Sequence, residues 1–281
     1  MCFGLLIVLI NFLILIYLTI GFIPYGFFLY NMEDTTRQYG QQDFNLPHDV
    51  VTLPSKGLFY KNKKKSLKIG YLTAQDENIL INAARTKGIV NELVRNKIYE
   101  PDIRVEDLLE GDLEAILIFL RNTSFGPEYS FRLKDPQTNK EFEQTIRLDE
   151  LNIVEPKQLP NDDGTFTIRL PKSGNSVKCK LLTVGDLDEI ENIMSQYPSN
   201  VTPPRITTRL EKQIISVDDN TDREFISKFV LNLPIMDSKH IRQTLSECEP
   251  KIDLERIVNA PSGEQVNVRV TFGVEFFRPF F

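Results

Sequence analysis

The first thirty-one residues carry no charged side chain, and that run sets the sharpest limit on what this chain can fold into. From Phe3 to Tyr30 the sequence is apolar apart from Asn11, Thr19, Pro24 and three glycines. About 20 apolar residues suffice to cross a bilayer core of roughly 30 Å. Membrane anchors, however, carry Lys or Arg on the cytoplasmic flank, and signal peptides carry them before the apolar run. Neither flank does so here, and the first charges are Glu33 and Asp34. Either residues 1–31 are an anchor or signal, or translation begins at Met32, where the composition changes. The missing flanking charge favours the second reading. Residues 32–48 then form a polar, flexible lead-in.

The rest has the composition of a globular protein, with 41% hydrophobic and 26% charged residues among 281. That is enough for one large core or two modest ones. A net charge of −6 leaves no basic field for nucleic acid. Cys2, Cys179 and Cys248 are far apart and odd in number, with no CxxC pair, so neither a disulfide framework nor a cysteine zinc site is expected.

Residues 49–60, DVVTLPSKGLFY, give a short strand and a Pro-Ser-Lys-Gly turn, followed by the lysine cluster Lys61, Lys63, Lys64 and Lys65. A solvated hairpin tip explains the cluster better than a phosphate site in an acidic protein. Residues 66–72 alternate as a strand. Thr73 and Asp76 then form a T-x-x-D capping box for a helix reaching about Thr86 and stopping at Gly88. Residues 89–97 read as a second short helix. Val105, Leu108, Leu109, Leu113, Ile116, Leu117 and Leu120 recur at helical spacing and predict a third, with Arg121 suiting the dipole at its end. Residues 129–151 predict a β-hairpin around DPQTNK whose arms carry opposite charges.

The pattern weakens at 155–160, where a boundary is expected. A second hairpin follows over 165–182. Thr183 and Asp186 cap a helix to about Tyr197, ended by Pro198. SLKIGYLTAQDENIL and SVKCKLLTVGDLDEI thus repeat one strand–cap–helix unit, which chance, shared local physics or related sub-domains would each explain. After Pro203-Pro204 the sequence predicts a strand over 213–217 and a turn at Asp218-Asp219-Asn220. Two capped helices follow, the first by Thr221 and Glu224, the second by Asp237 or Ser238. A long last strand, EQVNVRVTFGVEFF, closes the chain.

Catalysis finds no support. His48 falls in the lead-in and His240 in a polar helical turn, so neither stands as a base beside a nucleophile. No HExxH, phosphate loop or GxGxxG occurs. The carboxylates of DLDEIE fill the first turns of a capped helix, where they favour its dipole. Asp218-Asp219-Asn220 lacks the later glutamate of a calcium loop. The expectation is a protein that is not an enzyme and has no cofactor or metal. Phe276, Phe277, Phe280 and Phe281 are another matter, because four rings at a chain end need burial in their own domain or against a partner. Phe276 and Phe277 can finish the last strand, whereas Phe280 and Phe281 beyond Pro279 suit a docking tail.

Three segments carry a resemblance: VTLPSKGLFY, YLTAQDENIL and DLLEGDLEAILIFLRNTSFGPEYSF. In order and spacing they are similar to the T-even-like bacteriophage baseplate hub subunit family. VDDNTDREFISKFVLNLPIMDSKHIRQTL and VTFGVEFFRPFF look like the C-terminal half of its longer members. The likeness covers about residues 50–281 and is densest over 51–133. One departure stands out: some members have a CPxC-type metal knuckle where this chain has DPQTNKE, so no zinc site carries over, and Asp135, Pro136 and Asn139 are left to hold the turn. Phe125 also stands where tyrosine is more usual.

The resemblance implies a structural, oligomeric part of a contractile-tail baseplate hub, or a factor that assembles it. Such a protein sits in the virion tail, is built in the host cytoplasm and contacts other tail proteins. The expected fold is α+β: two small sub-domains of antiparallel strands with capped helices, residues 49–155 and 156–281, after the apolar segment. The rival reading is a membrane-anchored protein with a soluble α+β binding module.

Overall fold

Short antiparallel strand pairs alternate with short helices along the chain, because apolar residues switch repeatedly between spacings of two and of three to four. The computed structural model describes residues 47–82 and 89–277, which belong to one compact unit. The apolar run, the lead-in before Pro47, the helix end expected near Thr86 and Gly88, and Phe280 and Phe281 lie outside the described residues. Among the described residues no helix is long and apolar enough to cross a membrane.

β1 (His48–Thr52) pairs antiparallel with β2 (Ser66–Gly70). Helices α1 (Ala74–Asn82) and α2 (Ile89–Arg95) follow, then a 3₁₀ turn at Val105–Asp107 and α3 (Glu110–Phe125). The hairpin of β3 (Glu128–Lys134) and β4 (Glu141–Arg147) comes next. After β5 (Ile153–Val154), strands β6 (Phe166–Arg169), β7 (Ser176–Cys179) and β8 (Ile214–Val217) make a three-stranded sheet in that order. Helices α4 (Val184–Ser195) and α5 (Arg205–Gln213) lie between β7 and β8 in sequence, and α6 (Arg223–Leu231) and α7 (Ile235–Cys248) follow β8. β9 (Lys251–Ile252) returns to pair with β5, and β10 (Glu255–Asn259) and β11 (Gln265–Arg269) form the last hairpin. The fold is α+β with small antiparallel sheets, as the sequence predicts.

Two main apolar clusters form the interior. The first gathers Leu53, Leu67, Ile69, Leu93, Leu108 and the α3 stripe of Ile116, Leu117 and Leu120. The second packs the β6–β7–β8 sheet under α5, α6 and α7 through Phe166, Val177, Ile214, Ile226, Ile241 and Leu245. The first cluster also takes Ile252, Leu254, Val270, Phe276 and Phe277, so it draws on chain from both sides of residue 156.

α3 begins at Glu110, five residues after the first residue of its predicted stripe. Leu108 and Leu109 are extended instead, because Leu108 O accepts from Val184 N–H at 2.8 Å and Leu109 bridges to Thr183. A backbone hydrogen bond across the molecule outweighs local helical periodicity there. At the other end Arg121 is buried one turn before the helix end and donates to the carbonyls of Gly126 (2.8 Å) and Glu128 (3.0 Å), so it ties the helix to the chain beyond it, and the last turn itself holds no basic residue.

Both predicted strand–cap–helix units adopt that structure. At the second, Thr183 accepts from Asp186 N–H while the Asp186 carboxylate accepts from Thr183 N–H, a complete capping box. At the first the hydroxyl is the donor: Thr73 N–H and OH both donate to Asp76, each at 2.7 Å, and the same carboxylate pairs with buried Lys97. The third box shifts by one residue, since Asp222 caps α6 by accepting from Phe225 N–H at 2.9 Å. α7 starts at Ile235, before the predicted caps, and Asp237 is buried inside its first turn. Helix α5 has no predicted counterpart. Its amphipathic nine residues carry Thr207 and Thr208, whose hydroxyls bond Pro204 O at 3.0 and 2.9 Å. The long last strand ends at Arg269, and Val274–Phe277 turn as a 3₁₀ segment with Phe276 N–H bonded to Gly273 O at 3.1 Å.

Candidate interaction surface

Most of the residues singled out for chemistry have structural roles in the fold. His48 begins β1 rather than lying in a lead-in, with its ring 5.7 Å from Tyr99, and His240 is exposed on α7. The DLDEIE carboxylates face partners. Asp186 pairs with Lys180, Asp188 accepts from Asn91, Glu189 pairs with Lys212, and Glu191 pairs with Arg205. Asp218 (φ +46°) and Asp219 (φ +66°) form a two-residue turn of the mirror-image type, closed by hydrogen bonds in both directions between Val217 and Asn220. Hydrogen bonds from Asn175 and the Ser176 N–H hold the Asp218 carboxyl below the usual range. Among the described residues no group of three or more His, Cys, Asp or Glu is arranged to hold a metal ion.

Two of the four clustered lysines make contacts within the chain. Lys64 pairs with Glu100 and with Asp102 (2.5 Å), and Lys63 donates to Leu58 O (3.2 Å) and Asp162 O (3.0 Å). Lys61, Lys63 and Lys65 are exposed in the connection between β1 and β2, which agrees with the solvated hairpin tip the sequence predicts.

The motifs behind the resemblance carry the fold's long-range ties. Ser55 of the LPSKG loop donates its N–H to Asp112 at 2.8 Å, and Tyr60 OH donates to the same carboxylate while accepting from Leu109 N–H at 3.1 Å. Gly111 lies so close to the chain after α7 that an added Cβ would sit 2.2 Å from Pro250 O. In the DPQTNK turn, Asp135 accepts from Gln137 (2.9 Å) and Thr138 (3.1 Å), and also from Ser262 N–H (3.0 Å) on the last hairpin. The DPQTNK turn is thus held by a second hairpin, not by its own residues alone.

Phe276 and Phe277 lie inside the first cluster, 0% and 1% exposed, with Phe276 packed 5.4 Å from Tyr129 and 4.9 Å from Phe272. As partner-binding residues they are corrected: these rings fill the chain's own core. The terminal pair proposed for docking is not among the described residues.

Apolar surface stands open elsewhere. At the corner between α6 and α7, Leu231, Ile235 and Met236 are 67%, 84% and 63% exposed. Pro234 stands between them as the N-cap of α7. Charge on the outer face of the β3–β4 hairpin alternates as predicted, through the cross-strand pairs Glu128–Arg147, Arg132–Glu143 and Lys134–Glu141.

A cleft of about 340 Å³ lies where α3 meets β9, lined by Glu110, Glu114, Glu249, Lys251 and Arg269. Burial, with Glu110 and Glu249 nearby, pushes the Glu114 carboxyl up to about 7, against the pull of the Ile252 main chain and Arg269. A carboxyl whose pKa is raised in the folded state stabilises that state while protonated. That contribution is present below its ordinary value of 4.5 and is lost as pH rises through 7. Glu114→Gln should therefore gain about 1–2 kcal/mol at pH 8, after discounting for partial exposure, and nothing at pH 4. Urea unfolding at the two pH values checks this, and an equal gain at both would remove ionisation as the cause.

A family model described as T4 bacteriophage base plate protein matches residues 50–278. No curated protein and no solved structure matches the chain.

Proposed function

The chain belongs to the T4 bacteriophage base plate protein family, and from that premise we propose that it is a structural component of the central hub of a contractile-tail baseplate, or a factor required to assemble that hub. Membership implies a place in the virion tail and contact with other tail proteins. The narrower role is supported by the segments that resemble hub subunits. Apart from the segments themselves, the observation that carries it is the exposed apolar corner of Leu231, Ile235 and Met236, a surface that suits a partner better than water.

The test is a phage from which this chain has been deleted. It is expected to make heads but no complete baseplates, and wild-type chain supplied from a plasmid should restore them. A plasmid copy carrying Ile235→Lys and Met236→Lys should fold with an unchanged melting midpoint and fail to restore them. Normal tails from the deleted phage would sink the proposal.

A further inference from the structure

Two β-hairpins stand side by side, tied at both ends, with a groove of about 750 Å³ between β4 and β10. At the tips, Asp135 accepts from Ser262 N–H. At the base, Asp253 N–H donates to Asn152 O at 2.8 Å and β5 pairs with β9. Between these ties β4 and β10 belong to separate two-stranded sheets and share no ladder. Residues 144–147 and 255–259 line the groove consecutively. A sheet face would contribute every second residue, so these walls are strand edges.

The register identifies the main-chain groups on those edges. Leu148 N–H bonds Pro127 O and Asp135 N–H bonds Lys140 O, which assigns the even-numbered residues of β4 to the ladder with β3. Ala260 N–H bonds Glu264 O and Val270 N–H bonds Leu254 O, which assigns the even-numbered residues of β10 to β11. The odd residues point the other way. Two side-chain contacts agree with this: Gln144 donates to Thr145 O at 3.3 Å, and Arg256 donates to Glu255 O at 2.6 Å. The N–H groups of Thr145, Ile257 and Asn259 therefore face the groove, and no hydrogen-bond partner accepts from them among the described residues.

The charges on the rim are already spent within the chain: Arg147 on Asp149 and Glu150, Arg256 on Asp253, and Glu255 on Arg269. An incoming charged side chain would find no free counter-ion there. Ile257, by contrast, is 68% exposed on a face it shares with Glu255 and Asn259, while Ile146 and Val258 border the inner side.

The geometry points to a strand-acceptor groove. An extended, uncharged segment of another tail protein inserts between β4 and β10 and joins the two hairpins into one five-stranded sheet. The groove takes four or five residues, roughly 15 Å of extended chain. Because β4 and β10 run in opposite directions, the segment lies antiparallel to one and parallel to the other. Its main chain supplies the hydrogen bonds, and apolar side chains cover Ile257 outside and meet Ile146 and Val258 inside. Each described strand of five or more residues carries a charged side chain, so none of these supplies such an uncharged segment from a second copy. The inference rests on the reading of the chain as a hub component or hub assembly factor.

Amide hydrogen exchange tests it, read on peptides spanning 142–148 and 255–260 in the isolated chain and in baseplates or hub precursors that contain it. Exchange at these amides should slow by about tenfold or more on assembly. Ile257→Pro removes an N–H that faces the groove and not β11, so the hairpin should survive while incorporation into baseplates is lost. Ile257→Thr, which keeps the N–H, should be incorporated. Equal exchange in the two states, or normal incorporation of the proline variant, overturns the groove while leaving the hub reading intact. Protection already present in an isolated chain that dimerises assigns the groove to a second copy and overturns the partner stated here. A chain found in neither baseplates nor hub precursors overturns both readings.

Discussion

Leu117→Ala is expected to lower the stability of this protein by about 2–5 kcal/mol. Leu117 is 2% exposed on the inner face of α3, between Ile116 and Leu120, and belongs to the larger apolar cluster. Truncation removes the transfer energy of the lost carbons and leaves a cavity that surrounding chain fills only in part. The walls cannot easily close, because both ends of α3 are pinned. Asp112 is tied to Ser55 and Tyr60 at the start, and Arg121 to two carbonyls at the finish. Leu231→Ala removes the same atoms from a side chain that is 67% exposed and should change stability by less than about 0.5 kcal/mol. Denaturant midpoints of the two variants against the parent decide the matter. A Leu117→Ala midpoint equal to that of Leu231→Ala would mean that the α3 face is not a core face.

That stripe was legible because it is local: Ile116, Leu117 and Leu120 stand three and four apart, and no distant contact overrides them. The hairpins predicted over 129–151 and 165–182 were legible for the same reason, each bounded by alternating runs and turn residues. The sequence misled wherever a polar group finds its partner far along the chain. Asp237 looked like a helix cap but is buried, accepting from Lys172 and Ser173 N–H at 2.7 and 2.8 Å, some 65 residues away. Asp135 looked like an ordinary turn residue, and its bond to Ser262 spans 127 residues. Leu108 and Leu109 looked helical, and a carbonyl taken by Val184 holds them extended. No short-range pattern records such pairings.

Function was legible at the level of family and no finer. The terminal rings drew attention as aromatics at a chain end, yet Phe276 and Phe277 turn inward to close the first core. The groove between β4 and β10 left one trace that passed unused: Ile257 interrupts the polar face that Glu255 and Asn259 otherwise define. An apolar residue on the solvent side of an alternating strand is the signal to look for at an open sheet edge.

Asp112→Ala should cost about 3–5 kcal/mol, and Asp112→Asn only about 1–2. Asp112 is 0% exposed and joins two distant stretches: one carboxylate oxygen accepts from Ser55 N–H, the other from Tyr60 OH. Alanine strands both donors in the buried interior, and each buried unsatisfied donor costs about 1–3 kcal/mol. The Tyr60 oxygen would still accept from Leu109 N–H, but the hydroxyl proton would have nowhere to go. Asparagine keeps an acceptor for Ser55 and loses the one for Tyr60, so a single donor is stranded. Burial works in the opposite direction for the charge itself: it raises the Asp112 carboxyl above its ordinary range, so the ionised form carries a desolvation cost that asparagine removes. That relief keeps the Asn penalty small and gives the pair a pH signature. The raised pKa means that parent stability from this group is greatest in acid and falls as pH climbs past the ordinary carboxyl value of 3.8. The gap between parent and Asp112→Asn should therefore narrow from acid to neutral pH, while Asp112→Ala remains the least stable of the three throughout. Equal midpoints for the alanine and asparagine variants would mean that neither donor depends on this carboxylate. The LPSKG loop would then be held on α3 by packing alone.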